Sequence, residues 1–234
     1  MTYSKLVRFD YNKHLPNSYT DKSNDIFYIL VALFIADQNE MLLTKLTLEK
    51  SIYTTTQELA VLNKQFFRTH FFINKLGPHN NIFYNYLEEL QKASLIEIND
   101  KFLFITPKGL ATMSDLLNKN KISDDIKILL NKLDEKIKKY CNNYKLAIQD
   151  THKQKLTDTT DNNTIKTIEQ VIEEIKPEER FTSSSQFKYI ESSNFAEQKQ
   201  VELPATILNG IENSLSNIEE LDYQTNADIS SLFA

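Results

Sequence analysis

Apolar residues fall along this chain in blocks of changing period, and each block predicts an element. Ile26, Leu30 and Leu33 recur at helical spacing, while Phe27, Tyr28, Val31 and Phe34 fill the remaining sides. A helix that is apolar nearly all round belongs at the centre of a core. It is expected to start near Asp25, capped by Ser23 or Asn24. A second helix is expected from about Thr44 to Leu59, with Leu46, Ile52 and Tyr53 inward and Lys45, Leu48 and Lys50 at its sides. The run Phe66 to Ile73 is too dense in aromatics for a helix surface and reads as a buried strand. Gly77-Pro78 breaks the chain, and Asn80 or Asn81 caps a third helix, about Asn81 to Ser94. Its apolar stripe is Ile82, Tyr86, Leu87 and Leu90.

Two short strands follow, Leu95 to Ile98 and Phe102 to Ile105, joined by Asn99-Asp100-Lys101 as a hairpin connection. Thr106 and Pro107 then supply the N-cap and first position of another helix, ending near Asn118. Ser123 to Ala147 reads as one long helix, with Ile126, Leu130, Leu133, Ile137, Tyr140, Tyr144 and Ala147 spaced alternately by four and three. That stripe fits two readings: a dimer-forming coiled coil, or a helix packed on its own domain, since Leu129, Cys141 and Ile148 widen it. Residues 1–24 are polar and read as an irregular extension, with a turn at Leu15-Pro16-Asn17.

After Asp150 the composition changes. Residues 1–150 carry 20 Lys and Arg against 17 Asp and Glu, whereas 151–234 carry 7 against 15. A slightly basic folded part followed by an acidic, Ser/Thr/Asn-rich part predicts a domain with a tail. Within that tail two amphipathic pieces, Ile165 to Ile175 and Ala205 to Ile218, are too short to be stable alone and need something to dock on. The last residues, with Ile229, Leu232 and Phe233, form an apolar hook after acidic residues. The expected organisation is therefore α+β and mostly α: an extension at 1–24, a winged helix-turn-helix core at 25–120, a long helix at 121–150, and a partly disordered tail at 151–234.

Composition removes several functions. The chain has three glycines, so neither a dinucleotide-binding G-x-G-x-x-G nor a phosphate-cradling P-loop can be built. One cysteine, Cys141, excludes a disulfide framework within the chain. His14, His70, His79 and His152 show no metal-ligand spacing, and no nucleophile motif is present. The expectation is a protein without cofactor or metal that is not an enzyme. The longest apolar run, Ile26 to Ala36, is about half a membrane span, and no export signal is read at Met1 to Pro16, so a cytoplasmic location without membrane contact is expected.

Helix, helix, strand, helix, hairpin is the order of a winged helix, with the third helix as recognition helix and Asn99-Asp100-Lys101 as wing. Lys45-Leu46, Ile52-Tyr53, Phe71-Phe72, Gly77-Pro78, Leu87-Glu88-Glu89-Leu90, Leu95-Ile96 and Thr106-Pro107-Lys108-Gly109 add to this. With those pieces the stretch Lys45 to Gly109 resembles bacterial and phage-associated winged-helix proteins of the Panacea antitoxin type. The resemblance implies a winged-helix regulator or an antitoxin-like partner protein.

Two functions follow, from different classes. An interaction protein, antitoxin-like or a complex subunit, would act through protein contacts, with Ile229, Leu232 and Phe233 binding a partner. A transcriptional regulator would bind duplex DNA through Asn81, Asn85, Lys92 and Lys101. Against the second, Glu88 and Glu89 would repel phosphates, and only Arg8, Arg68 and Arg180 could supply the commonest base contact. A homodimer through Ile126, Leu130, Leu133, Ile137, Tyr140 and Tyr144 is compatible with either.

Overall fold

Helix α1, Tyr19–Gln38, has no solvent side through its middle: every residue from Ile26 to Leu33 is at most 2% exposed. The computed structural model, which describes residues 4–8, 19–74, 76–120, 122–158, 164–174, 188–191 and 199–216, arranges the rest of the chain around this helix. The architecture is α+β and mostly helical. No helix among the described residues is long and apolar enough to cross a membrane.

The chain runs β1 (Ser4–Arg8), α1, β2 (Leu43–Thr44), α2 (Lys45–Val61), β3 (Lys64–Gln65), β4 (Phe71–Asn74), β5 (Gly77–His79) and α3 (Asn81–Lys92). It continues through β6 (Ile96–Asn99), β7 (Phe102–Ile105), α4 (Pro107–Lys119), α5 (Asp124–Tyr140), α6 (Tyr144–His152), β8 (Lys155–Asp158), β9 (Thr164–Thr167) and α7 (Ile168–Glu174). Strands β10 (Lys188–Glu191) and β11 (Lys199–Gln200) precede a last helix, α8, over 205–216. A three-stranded antiparallel sheet has the order β2-β7-β6, with Leu43 opposite Leu103 and Ile96 opposite Ile105. A six-stranded sheet has the order β5-β4-β10-β1-β8-β9, in which β1 pairs antiparallel with β10 and parallel with β8.

The start of α1 departs from expectation for a polar reason. The helix begins at Tyr19, so Ser23, Asn24 and Asp25 lie inside it, buried, and cap nothing. They hold another segment instead. Asn24 Nδ2 donates to Phe66 O at 2.5 Å; Asp25 accepts from the backbone N–H of Arg68 at 2.7 Å and of Thr69 at 2.9 Å, and from the Thr69 hydroxyl. Those amides are therefore taken by a side chain, and Phe66 to His70 forms a loop between β3 and β4 where one continuous strand was expected. The expected break at Gly77-Pro78 is likewise a short strand, Pro78 standing opposite Ile73, with Gly77 at φ +87° where L side chains are strained.

Other starts and stops follow the local chemistry of the sequence. Thr44 and Thr47 form a reciprocal capping box at the head of α2, Asn80 accepts from Phe83 N–H at the head of α3, and Thr106 accepts from Gly109 N–H with Pro107 beside it. Helix α3 ends with Ser94 at φ +58° and Leu95 N–H bonded back to Leu90 O, a Schellman closure without glycine. The β6–β7 turn is Asp100-Lys101, with Asp100 at φ +54°.

The expected single helix from Ser123 to Ala147 is two helices. Ser123 caps α5, which ends at Tyr140; Asn143 then accepts from Leu146 N–H at 3.0 Å and caps α6. Cys-Asn-Asn at 141–143 favours this interruption, because asparagine trades helix interior for cap. The stripe resolves in favour of packing on its own domain. Ile126, Leu133, Ile137 and Tyr140 are buried within one chain, against α2 and α1, and Leu130 is half-buried. They are not free to form an intermolecular seam, and Tyr144 lies beyond the break. At the rim Lys136, 6% exposed, meets Glu58 of α2 at 2.5 Å.

The segments after Asp150 and before Asp25 are less peripheral than their composition suggests. β1 occupies the interior of the larger sheet, so the extension at 1–24 contains a central strand. Leu156, Ile168, Val171, Val201, Leu203, Ile207 and Ile211 are buried in the same core as α1, and β11 runs parallel beside β3. Of the stretch read as 165–175, residues 165–174 are the end of a strand followed by a helix, and Ile175 lies outside the described residues. Of the expected stripe on 205–218, Ile207 and Ile211 are fully buried, while Ile218 lies outside the described residues.

Because the α5 stripe is used inside one chain, Ile137→Ala is expected to lower unfolding stability by about 2–5 kcal/mol. That loss should be the same at every protein concentration. Denaturant midpoints at two concentrations a hundredfold apart check it, since a coiled-coil seam would make them diverge.

Candidate functional site

The residues expected to read DNA stand where a surface site requires. Asn81, Asn85, Glu88 and Lys92 are exposed on α3, opposite Phe83, Tyr86, Leu87 and Leu90, which pack inward. Lys101 is exposed on the hairpin turn, its ammonium 5.2 Å from the Phe102 ring centre. Three of the four do not form a cationic surface. Asn81 Oδ1 lies 2.8 Å from His79 Nε2, Asn85 is neutral, and Lys92 shares its face with Glu88. Glu89 is paired with Lys22 at 2.6 Å. Arg68, whose side chain is 8% exposed, is bound to Asp21 at 3.5 Å and to Val201 O at 3.3 Å, so it cannot reach a base. Ile229, Leu232 and Phe233 lie outside the described residues.

The hairpin shows a feature that the sequence reading left aside. Leu103 and Ile105 face the core, which turns Phe102 and Phe104 to the opposite side. Phe104 is 37% exposed, and Leu42, just before β2 and on its side of the register, is 44% exposed. The signal was present in the sequence: a strand that is apolar at all four positions cannot bury both faces in a three-stranded sheet with one packed side.

Beside this face lies a groove of about 670 Å³, where the N-terminal turn of α2, the hairpin turn, Tyr84 of α3 and the α5–α6 break meet. Leu76 and Tyr144, 41% and 52% exposed, form much of its apolar rim. Cys141 lines it from below, buried and without a disulfide.

Tyr84 of the groove wall also touches a buried ionic cluster. Glu49 and Lys50 of α2 are each 1% exposed, and their charges lie 3.5 Å apart. Lys50 also donates to Pro78 O, while Glu49 accepts from Asn80 N–H at 2.8 Å and lies 3.0 Å from His79 Nδ1. The Tyr84 ring stands 5.1 Å from that of His79. Burial pulls the Lys50 ammonium below its usual value against the pull of Glu49, and burial with Glu49 nearby pushes the Tyr84 phenol up. The cluster therefore fixes the start of α3 to the flank of α2. Lys50, expected at the side of its helix, is among the most buried side chains of the protein, and Leu48 beside it is fully buried. Composition gave no signal for this, since a Glu-Lys pair normally marks a solvated face.

A second buried carboxyl, Asp25, has burial pushing it up to about 7, opposed by its hydrogen bonds from Thr69, Arg68 and Asn24. Among the described residues no group of three His, Cys, Asp or Glu side chains is placed to hold a metal. No family model, curated protein or solved structure matches the chain.

Two outcomes are expected from these buried groups. Glu49→Ala strands the Lys50 ammonium in the interior and should cost about 3–5 kcal/mol, whereas Glu49→Ala with Lys50→Met should recover most of it; urea unfolding of both variants checks this. Asp25 has a raised native pKa, so the stability it contributes is complete below the ordinary carboxyl range near pH 4 and is lost as pH rises through about 7. Asp25→Asn sets an amide against the Thr69 N–H and lowers stability. The gap between wild type and variant should be wider at pH 5 than at pH 8 in chemical denaturation.

Proposed function

We propose that this chain is a non-enzymatic interaction protein with a winged-helix core formed by α1, β2, α2, α3, β6 and β7. In this reading it works as an antitoxin-like protein or complex subunit through protein contacts and its C-terminal segment. The observation that carries the reading is the outward face of the hairpin, where a nucleic-acid binder needs cations and this chain has Phe102, Phe104 and Leu42. The balanced charges on α3 support it, as does the withdrawal of Arg68 into ion pairing. The three-stranded order β2-β7-β6 beside α3 agrees with a winged helix. The segment 62–80, with three strands, fills the place where a helix-turn-helix has a short turn.

One observation favours the alternative, a winged-helix DNA-binding regulator: Lys92 and Lys101 are exposed and lack ion-pair partners among the described residues, and Asn85 is exposed on the same helix as Lys92. The full chain separates the readings. Fluorescence anisotropy with random duplex DNA over a salt series should show no binding at low salt. A log–log slope of several, at roughly 0.9 per phosphate neutralised, would replace the interaction reading with the regulator. In parallel Phe104→Asp, at a half-exposed position, should change stability by no more than about 0.5 kcal/mol and abolish co-purification of a protein partner.

A further inference from the structure

We infer that the groove between α2, the hairpin turn and the α5–α6 break is the docking site of this chain's own residues 217–234, which act as an acidic, apolar strap. The inference rests on the reading that this face of the molecule contacts protein, and it names the first occupant of that surface.

The chemistry of the two parts is complementary. The groove offers Leu76, Tyr84, Phe102 and Tyr144 as apolar walls, of which Leu76 and Tyr144 are exposed. Lys45 and Lys101 stand in the same wall without an ion-pair partner among the described residues, and among those residues Asp100 is the one acidic group lining it. The N-terminal turns of α2 and α6 both open onto it, adding the positive ends of two helix dipoles. The segment 217–234 carries Glu219, Glu220, Asp222 and Asp228 and no lysine or arginine. Between and after those charges it carries Leu221, Tyr223, Ile229, Leu232 and Phe233. Apolar anchors flanked by carboxylates are what this groove would bury and pair.

The length of the strap sets its reach. It begins where α8 ends at residue 216, and its residues span at most about 60 Å when extended. A folded body of this size measures about 45 Å across. Seating the strap would cover part of the apolar face that a protein partner needs, so the partner and the strap would compete for it.

The test uses the full chain with Cys141→Ser and Ser231→Cys, a nitroxide on residue 231, and amide NMR of the labelled protein. Cys141→Ala serves as a second background if the serine variant unfolds. The expected result is at least a twofold loss of amide intensity at Leu46, Lys101 and Tyr144, reversed by reducing the nitroxide. Lys101→Glu, or Leu232→Ala with Phe233→Ala, should each restore most of the signal. Undiminished groove amides, or losses confined to another face, would overturn the inference. So would losses that appear only when ¹⁵N chain is mixed with nitroxide-labelled unlabelled-nitrogen chain, which would make the occupant a second copy. An empty groove in a chain whose Phe104→Asp variant still loses its partner overturns the strap and leaves the interaction reading standing. An empty groove together with salt-dependent DNA binding overturns both.

Discussion

A helix without a solvent face has to be enclosed from every direction, and α1 imposes that requirement on the whole chain. Its middle eight residues are at most 2% exposed, more than one amphipathic neighbour can cover. Helices α2, α4 and α5 and strand β7 pack against it. The remaining surface is closed by segments far along the chain, including the 199–211 arm with Val201, Leu203, Ile207 and Ile211. The polar first turns of α1 then act as the clasp. Ser23 reaches Glu212 at 3.4 Å, while Asn24 and Asp25 hold the 66–70 loop. Burial of apolar area drives the enclosure, and buried hydrogen bonds select one geometry for it.

Elements with local chemistry were legible in the sequence. The caps at Asn80 and Thr106, the β7 strand, and the apolar stripe of α3 all depend on residues within a few positions of one another. What could not be read depends on distant partners. Asp25 takes backbone amides from a loop some forty positions away, so a stretch with strand composition is not a strand. The acidic composition of 151–234 suggested a tail because net charge is an average, and it conceals the few apolar residues that decide docking. The α5 stripe had coiled-coil spacing, yet the same spacing serves any helix laid along two others.

The candidate surface shows the same division. Exposure of Asn81, Asn85, Lys92 and Lys101 follows from helix and hairpin periodicity and was correctly anticipated. The groove was not, because it is assembled from α2, α3, the hairpin turn and a helix break whose position depends on Asn143. Glu49 and Lys50 were also hidden from sequence. Adjacent opposite charges on a helix are ordinarily solvated, and here both are enclosed because β5 and α3 close over that side of α2. Through that pair the buried interior sets where the outer surface lies.

The pairing of β1 carries a consequence for how the chain is made. Lys5 lies opposite Thr157 on one side and Glu191 on the other. Until those residues leave the ribosome, this strand has both hydrogen-bonding edges open while helices with local contacts can already form. Synthesis at about 5–20 residues per second leaves it in that state for roughly ten seconds or more. The larger sheet therefore closes around β1 only once residues 155–158 and 188–191 are available, after the local contacts of the helices.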